Sequence, residues 1–153
     1  MDNPRSTARI AGHPIHPMLV PFPIAFFVAA LGCDIAFWQT SGPVWVTASI
    51  WLLGAGLVMA ALAAVMGLTD VAGDRRVREL ADVWLHAGGN ILVVLLELYN
   101  LYLRLTDGAA AVMPTGLILS LIVVALLLFT GWKGGELVYR YRVGVIDRPP
   151  VKM

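Results

Sequence analysis

Apolar residues gather into four long runs, separated by short polar stretches. Met18 to Trp38 is interrupted only by Asp34, and Pro43 to Thr69 holds no charged residue. Val83 to Leu103 carries Glu97, and Gly108 to Trp132 is again uncharged. Each run meets the roughly 20 residues that a helix needs to cross a hydrocarbon core. The pattern predicts an all-α fold: an integral membrane four-helix bundle forming one domain over residues 1–153, with spans near 18–38, 45–69, 83–104 and 112–132. The loops from Thr40 to Pro43 and from Thr106 to Pro114 are short, so consecutive helices run antiparallel. The first run is too long and too late for a cleaved secretory signal.

Charge sets the direction. Arg5 and Arg9 precede the first span; Arg75, Arg76 and Arg78 lie between the second and third; Lys133, Arg140, Arg142, Arg148 and Lys152 follow the fourth. Only Arg104 falls at the opposite end. Positively charged loops stay on the cytoplasmic side, so residues 1–17 and 133–153 and both termini are expected in the cytoplasm, with the bundle in a bacterial inner membrane. Trp38, Trp45, Trp84 and Trp132 stand at span ends, where amphipathic rings favour the interface.

Composition narrows the class. Of 153 residues, 59% are hydrophobic and only 14% charged, far from an ordinary soluble domain. The formal charge of +1 leaves no surplus for holding nucleic acid. Cys33, the single cysteine, reads as a small buried hydrophobe.

The polar residues inside the spans are not scattered. His86, Asn90, Val93, Glu97, Asn100 and Arg104 recur every three or four positions, drawing one stripe down the third helix. Charge in lipid costs at least about 2.5–3.5 kcal/mol at a helix centre, so this stripe faces the bundle interior. Arg104 is expected to pair with Asp34 of the first span, leaving Glu97 to Asn100, a hydroxyl, a water or its own proton. Glu97 should lie roughly 16 Å from His86 along the axis. His13, His16 and His86 all fall at the cytoplasmic end. The first two stand in Gly12-His13-Pro14-Ile15-His16-Pro17, followed by Pro21 and Pro23. So many prolines predict a regular helix only from about Phe22.

These residues carry a resemblance. Gly12-His-Pro-Ile-His-Pro, Gly67-Leu68-Thr69-Asp70, His86-Ala87 with Asn90, Asn100-Leu101, Arg104 and Gly134-Gly135-Glu136-Leu137-Val138-Tyr139 are similar to the signature of a widespread bacterial family of predicted four-span membrane proteins whose shared domain has no assigned function. The resemblance spans nearly the whole chain. Relatives commonly end in Tyr-x-His-Gly-Val-Gly-Val, whereas this chain has Tyr141 in place of the histidine, so no ligand role passes to that position. Relatives joined to, or encoded beside, redox domains imply electron transfer and a redox partner protein.

Several chemistries fit the residues. A b-type haem would take axial imidazoles from His13 or His16 and from His86, with Phe22, Phe26, Gly88 and Gly89 making room. A zinc or copper ion would use His13, His16 and His86 with Asp70 or Asp74. Glu97, Asn90 and Asn100 along one stripe suit proton or solute movement. A homo-oligomer would use the small-residue face of span two: Gly54, Gly56, Ala60, Ala61, Ala63, Ala64 and Gly67. The contrasting expectation is a non-catalytic scaffold or accessory subunit, in which the histidines cap helices and the stripe ties the bundle together. No nucleophile, base and orienting group stand together, so hydrolysis is not expected.

Overall fold

A computed structural model describes residues 3–146. The N-terminal strands β1 (Arg9–Ile10) and β2 (His13–Pro14) form a small hairpin that leads into helices α1 (Ile15–Leu19) and α2 (Pro21–Thr40). Next come α3 (Pro43–Gly73), the short α4 (Arg75–Arg78), α5 (Ala81–Asp107) and α6 (Leu117–Tyr139). Four of these, α2, α3, α5 and α6, make an antiparallel membrane bundle. Arg148 and Lys152 lie outside the described residues.

The helix boundaries have local causes. Ser41 adopts a left-handed conformation (φ 53°) that stops α2, and Pro43 at the first position of α3 restarts the chain. Gly108, at φ 61°, ends α5. The corner from Gly108 to Gly116 then folds back on the bundle, burying Val112 completely.

The long helix α2 starts at Pro21, beside the expected Phe22, and the five-residue α1 precedes it from Ile15, because Pro17 falls in the first turn of α1 and Pro21 at the first position of α2. In those places the missing N–H has no partner to lose. Val20 joins the two pieces with helical backbone angles.

The four long helices form a ring in which α2 touches α3 and α6, and α5 touches α6 and α3. Both helical hairpins start at the end that carries the chain termini, here the terminal end; the other is the loop end. Arranged this way, the hairpins are related by a pseudo-two-fold axis along the bundle. Burial follows the same relation. From Pro21 to Gly32 and from Ile91 to Tyr102, residues 70 apart share the same alternation of buried, half-buried and exposed positions. In the second helices the offset is 67: Ser49, Leu53, Gly56 and Ala63 are buried, as are Gly116, Ser120, Val123 and Thr130. The two hairpins are one structural unit used twice. Sequence identity hides this, since one apolar residue serves as well as another on a lipid-facing surface.

Separate hairpins should therefore find each other. Residues 1–79 and 80–153, expressed together as two chains, are expected to assemble into a complex that co-purifies through a tag on either one. Recovery of each half alone would contradict the complementary packing described here.

The dry centre of the bundle is built from Phe27, Ala30, Leu53, Val93, Val123 and Leu127. Gly56 is required there, because a side chain at that position would overlap the ring of Phe27. Gly67 is similarly occupied by His16. The small-residue face of span two is thus largely consumed within the protomer: Gly56, Ala63 and Gly67 point inward, and only Ala61 and Ala64 remain exposed. Within the protomer Gly56 packs against α2 and Gly67 against α1.

Candidate functional site

The loop end of the axis holds a sealed polar network. Asp34 on α2 and Arg104 on α5 occupy equivalent positions of the two hairpins and meet across the pseudo-axis, both with fully buried side chains. The contact is bidentate: Nη1 of Arg104 donates to one carboxylate oxygen at 2.6 Å and Nη2 to the other at 2.8 Å. The guanidinium makes further bonds on its other sides. Arg104 also donates to Ser49 Oγ at 2.5 Å and, through Nε, to Asn100 Oδ1 at 3.1 Å. Ser120 Oγ donates to Asp34 at 2.7 Å, and Asn100 Nδ2 reaches Ser120 Oγ at 3.2 Å and Glu97 Oε2 at 3.0 Å. All four spans contribute, so the cost of placing the Asp34–Arg104 pair in lipid is offset by the ion pair and the hydrogen bonds around it.

Gly116 makes this closure possible. A side chain there would press on the Ala111 carbonyl and on Arg104 Nη2. One atom is left over: Glu97 Oε1 is buried and has no hydrogen-bond partner.

At the terminal end the axis is marked by a pair of histidines. His16 on α1 and His86 on α5 are again 70 residues apart, and their rings lie 6.0 Å centre to centre at 85°. Each reaches across its own hairpin to the second helix. His16 Nδ1 is 2.7 Å from the Ala63 carbonyl, and His86 Nδ1 is 2.8 Å from the Thr130 carbonyl. A carbonyl only accepts, so Nδ1 carries a hydrogen in both rings, and Nε2 is the nitrogen left for any other partner.

Glycines admit the rings. Gly67 stands one turn beyond Ala63 and Gly134 one turn beyond Thr130, and a Cβ at either would sit 3.1 Å from an imidazole atom. Asn90 completes the cluster, with Nδ2 donating to the His86 carbonyl at 2.8 Å and lying 3.3 Å from His86 Nε2. Thr130 Oγ1 is 3.4 Å from Asn90 Oδ1.

His13 does not join this pair. It is exposed, with Nδ1 at 3.0 Å from the Ala11 carbonyl. The aspartates are committed elsewhere. Asp70 accepts from the Ser6 hydroxyl and from the backbone N–H groups of Thr7 and Ala8, fastening the N-terminal segment to the end of α3. Asp74 accepts from Arg5 N–H at 2.8 Å and from the Arg76 side chain at 2.7 Å. The Arg76 guanidinium, then the Arg5 N–H, hold its carboxyl well below the usual carboxylate range. Among the described residues no group of three or more His, Cys, Asp or Glu side chains is gathered as a metal ion would require. The zinc or copper set of three histidines with Asp70 or Asp74 therefore does not assemble; the histidines that meet are His16 and His86.

The second shell of this pair was not apparent in the sequence. Ala63, Gly67, Thr130 and Gly134 act through backbone or through the absence of a side chain, and Ser49 and Ser120 are single hydroxyls in apolar runs. One signal was available. His16 precedes Asp34 by 18 residues, and His86 precedes Arg104 by the same 18.

The family described as predicted membrane protein (DUF2231) matches residues 12–147. The chain belongs to this family. The matched region starts at Gly12, takes in both hairpins and includes every residue of the two axial clusters. Searches of the curated proteins and of the solved structures return no match.

Tyr141 lies just past the end of α6. Its ring is stacked on by the Arg140 guanidinium, 5.4 Å from the ring centre. The neighbouring ion pair, Lys133 with Asp82 at 2.8 Å, ties the end of α6 to the start of α5.

Proposed function

We propose that this protein is an electron-transfer component of the membrane that holds one b-type haem between His16 and His86. The observation that carries the reading is the matched pair of imidazoles on the pseudo-axis. The two hairpins have diverged at neighbouring axial positions, to Phe27 and Glu97, Ala30 and Asn100, Asp34 and Arg104. At 16 and 86 both keep histidine, each with Nδ1 tied to a backbone carbonyl.

The donor set suits an axially ligated iron. Fixing Nδ1 on a carbonyl orients the ring and raises the basicity of Nε2, as it does for most metal-binding histidines. His16 and His86 would be the residues to hold the iron, and their ring centres already lie 6.0 Å apart. Gly67 and Gly134 keep the helix surfaces beside the rings free of side chains. Asn90 has the His86 carbonyl and Thr130 as partners once Nε2 is taken. A bound haem supplies one-electron chemistry; the protein sets its ligands, its burial and its depth.

Depth and direction complete the reading. Among the described residues Arg5, Arg9, Arg75, Arg76, Arg78, Lys133, Arg140 and Arg142 belong to the terminal end, and Arg104 alone to the loop end. The positive-inside rule then puts the histidine pair at the cytoplasmic side of a bacterial inner membrane, within reach of a soluble redox partner.

The second reading is a non-catalytic scaffold or accessory subunit. It is favoured by the closed loop-end network, which locks four helices and opens no path through the bundle. The same closure argues against a conducting role for Glu97.

One experiment separates the two. The protein is expressed with ample haem supply, purified in detergent, and its absorption recorded before and after dithionite. A Soret band that shifts on reduction and is lost in both His16→Ala and His86→Ala, while His13→Ala retains it, is the expected result. A colourless wild-type protein without stoichiometric iron would leave the scaffold reading standing.

A further inference from the structure

We propose that Glu97 is a proton-binding site buried in the bundle, with the proton carried on the oxygen that the network leaves unused. The proposal stands on the loop-end geometry and is independent of the haem.

Glu97 is fully buried. Its Oε2 accepts from Asn100 Nδ2 at 3.0 Å, whereas Oε1 has no partner. The charged groups facing it are Asp34 from α2 and Arg104 from its own helix; α3 and α6 contribute the uncharged Ser49 and Ser120 to the same network. Arg104 is directed at Asp34 and not at Glu97: both terminal nitrogens donate to Asp34, one of them also to Ser49, and Nε donates to Asn100. Asp34 and Arg104 cancel each other. An ionised Glu97 would then be the one uncompensated charge at the centre of the bundle, on an oxygen with no donor beside it. Such a group binds a proton rather than stay charged in a low-dielectric interior.

The surroundings also isolate that proton. Toward the histidines lies the dry layer of Phe27, Leu53, Val93 and Leu127, and the buried Ala111 and Val112 cover the loop end. Asn100 is the single relay, touching Glu97 on one side and Arg104 on the other. Glu97 thus reads as a stored proton coupled to the ion pair, rather than a step on a continuous wire.

Infrared spectroscopy of the full-length protein in lipid vesicles tests this. Wild type and Glu97→Gln are compared at neutral pH, where surface carboxylates are ionised. The expected difference spectrum contains the carbonyl stretch of a protonated carboxyl group, present in wild type and absent from E97Q. A difference spectrum that instead shows only the paired bands of a carboxylate would overturn the proposal. Thermal unfolding gives a second readout. Glutamine mimics the neutral acid in shape, so E97Q should melt within about 2 °C of wild type. A clearly higher melting temperature in E97Q would mean that a buried charge had been removed, and would equally overturn it.

Discussion

Arg104→Met is expected to destabilise the bundle by about 3–5 kcal/mol, the cost of leaving a buried charge without its partner. Asp34 would keep one hydrogen bond, from Ser120, in place of three, and Ser49 and Asn100 would each lose an interaction. Asp34→Leu should be comparably severe, since it strands the guanidinium instead. The pair Asp34→Leu with Arg104→Met is expected to recover much of the loss, because no charge is then left alone in the interior. The charge exchange Asp34→Arg with Arg104→Asp should recover only part. It preserves the ion pair across the pseudo-axis, but the positions related to Ser49 and Asn100 are Gly116 and Ala30, which offer no side-chain acceptor. Reversible denaturant unfolding in mixed micelles gives the ranking. Single variants as stable as wild type would show that the network contributes little.

The second large effect concerns the glycines beside the histidines. Gly67→Val and Gly134→Val each place a branched side chain where His16 and His86 now lie; even the first carbon would stand 3.1 Å from the ring. The imidazole must then leave its carbonyl, Ala63 or Thr130, and the hold on Nδ1 is lost. If the pair ligates a haem, affinity should fall about 10–100-fold, the range seen when an outer-shell partner of a metal-binding histidine is removed. Titration of haem into protein prepared without it measures this directly. Gly32→Ala is the control: a methyl group there meets nothing within 4 Å, so haem affinity should be unchanged. Equal affinities for wild type and both valine variants would detach the glycines from the site.

The two clusters on the axis illustrate what a duplicated hairpin makes possible. In a dimer of identical hairpins, positions that meet on the two-fold carry the same residue, so an acidic residue there would face its own copy. In a single chain the two related positions are free to differ, and Asp34 and Arg104 form an ion pair. At the other end of the axis both related positions, 16 and 86, are histidine.

Much of this was legible in the residues themselves. Four apolar runs of bilayer length dictate four spanning helices, because unpaired backbone cannot be left in hydrocarbon. The three- and four-residue spacing from His86 to Arg104 fixes which face of α5 turns inward, since charge on the lipid side is too costly. The need of Arg104 for a buried anion singles out Asp34, the acidic residue of the first span. What the chain did not disclose was partnership. His16 and His13 are alike in sequence, each followed by proline, yet only His16 faces His86: it lies on α1, alongside α3, while His13 remains in the strand before it. Span two carries small residues on several faces, and only contact with Phe27 and His16 shows which of them are consumed within the protomer. The pseudo-two-fold was hidden because its determinants are burial and backbone carbonyls rather than side-chain identity. Periodicity constrains a single helix against lipid or core; which side chains meet depends on how four helices pack, and that is settled by tertiary structure.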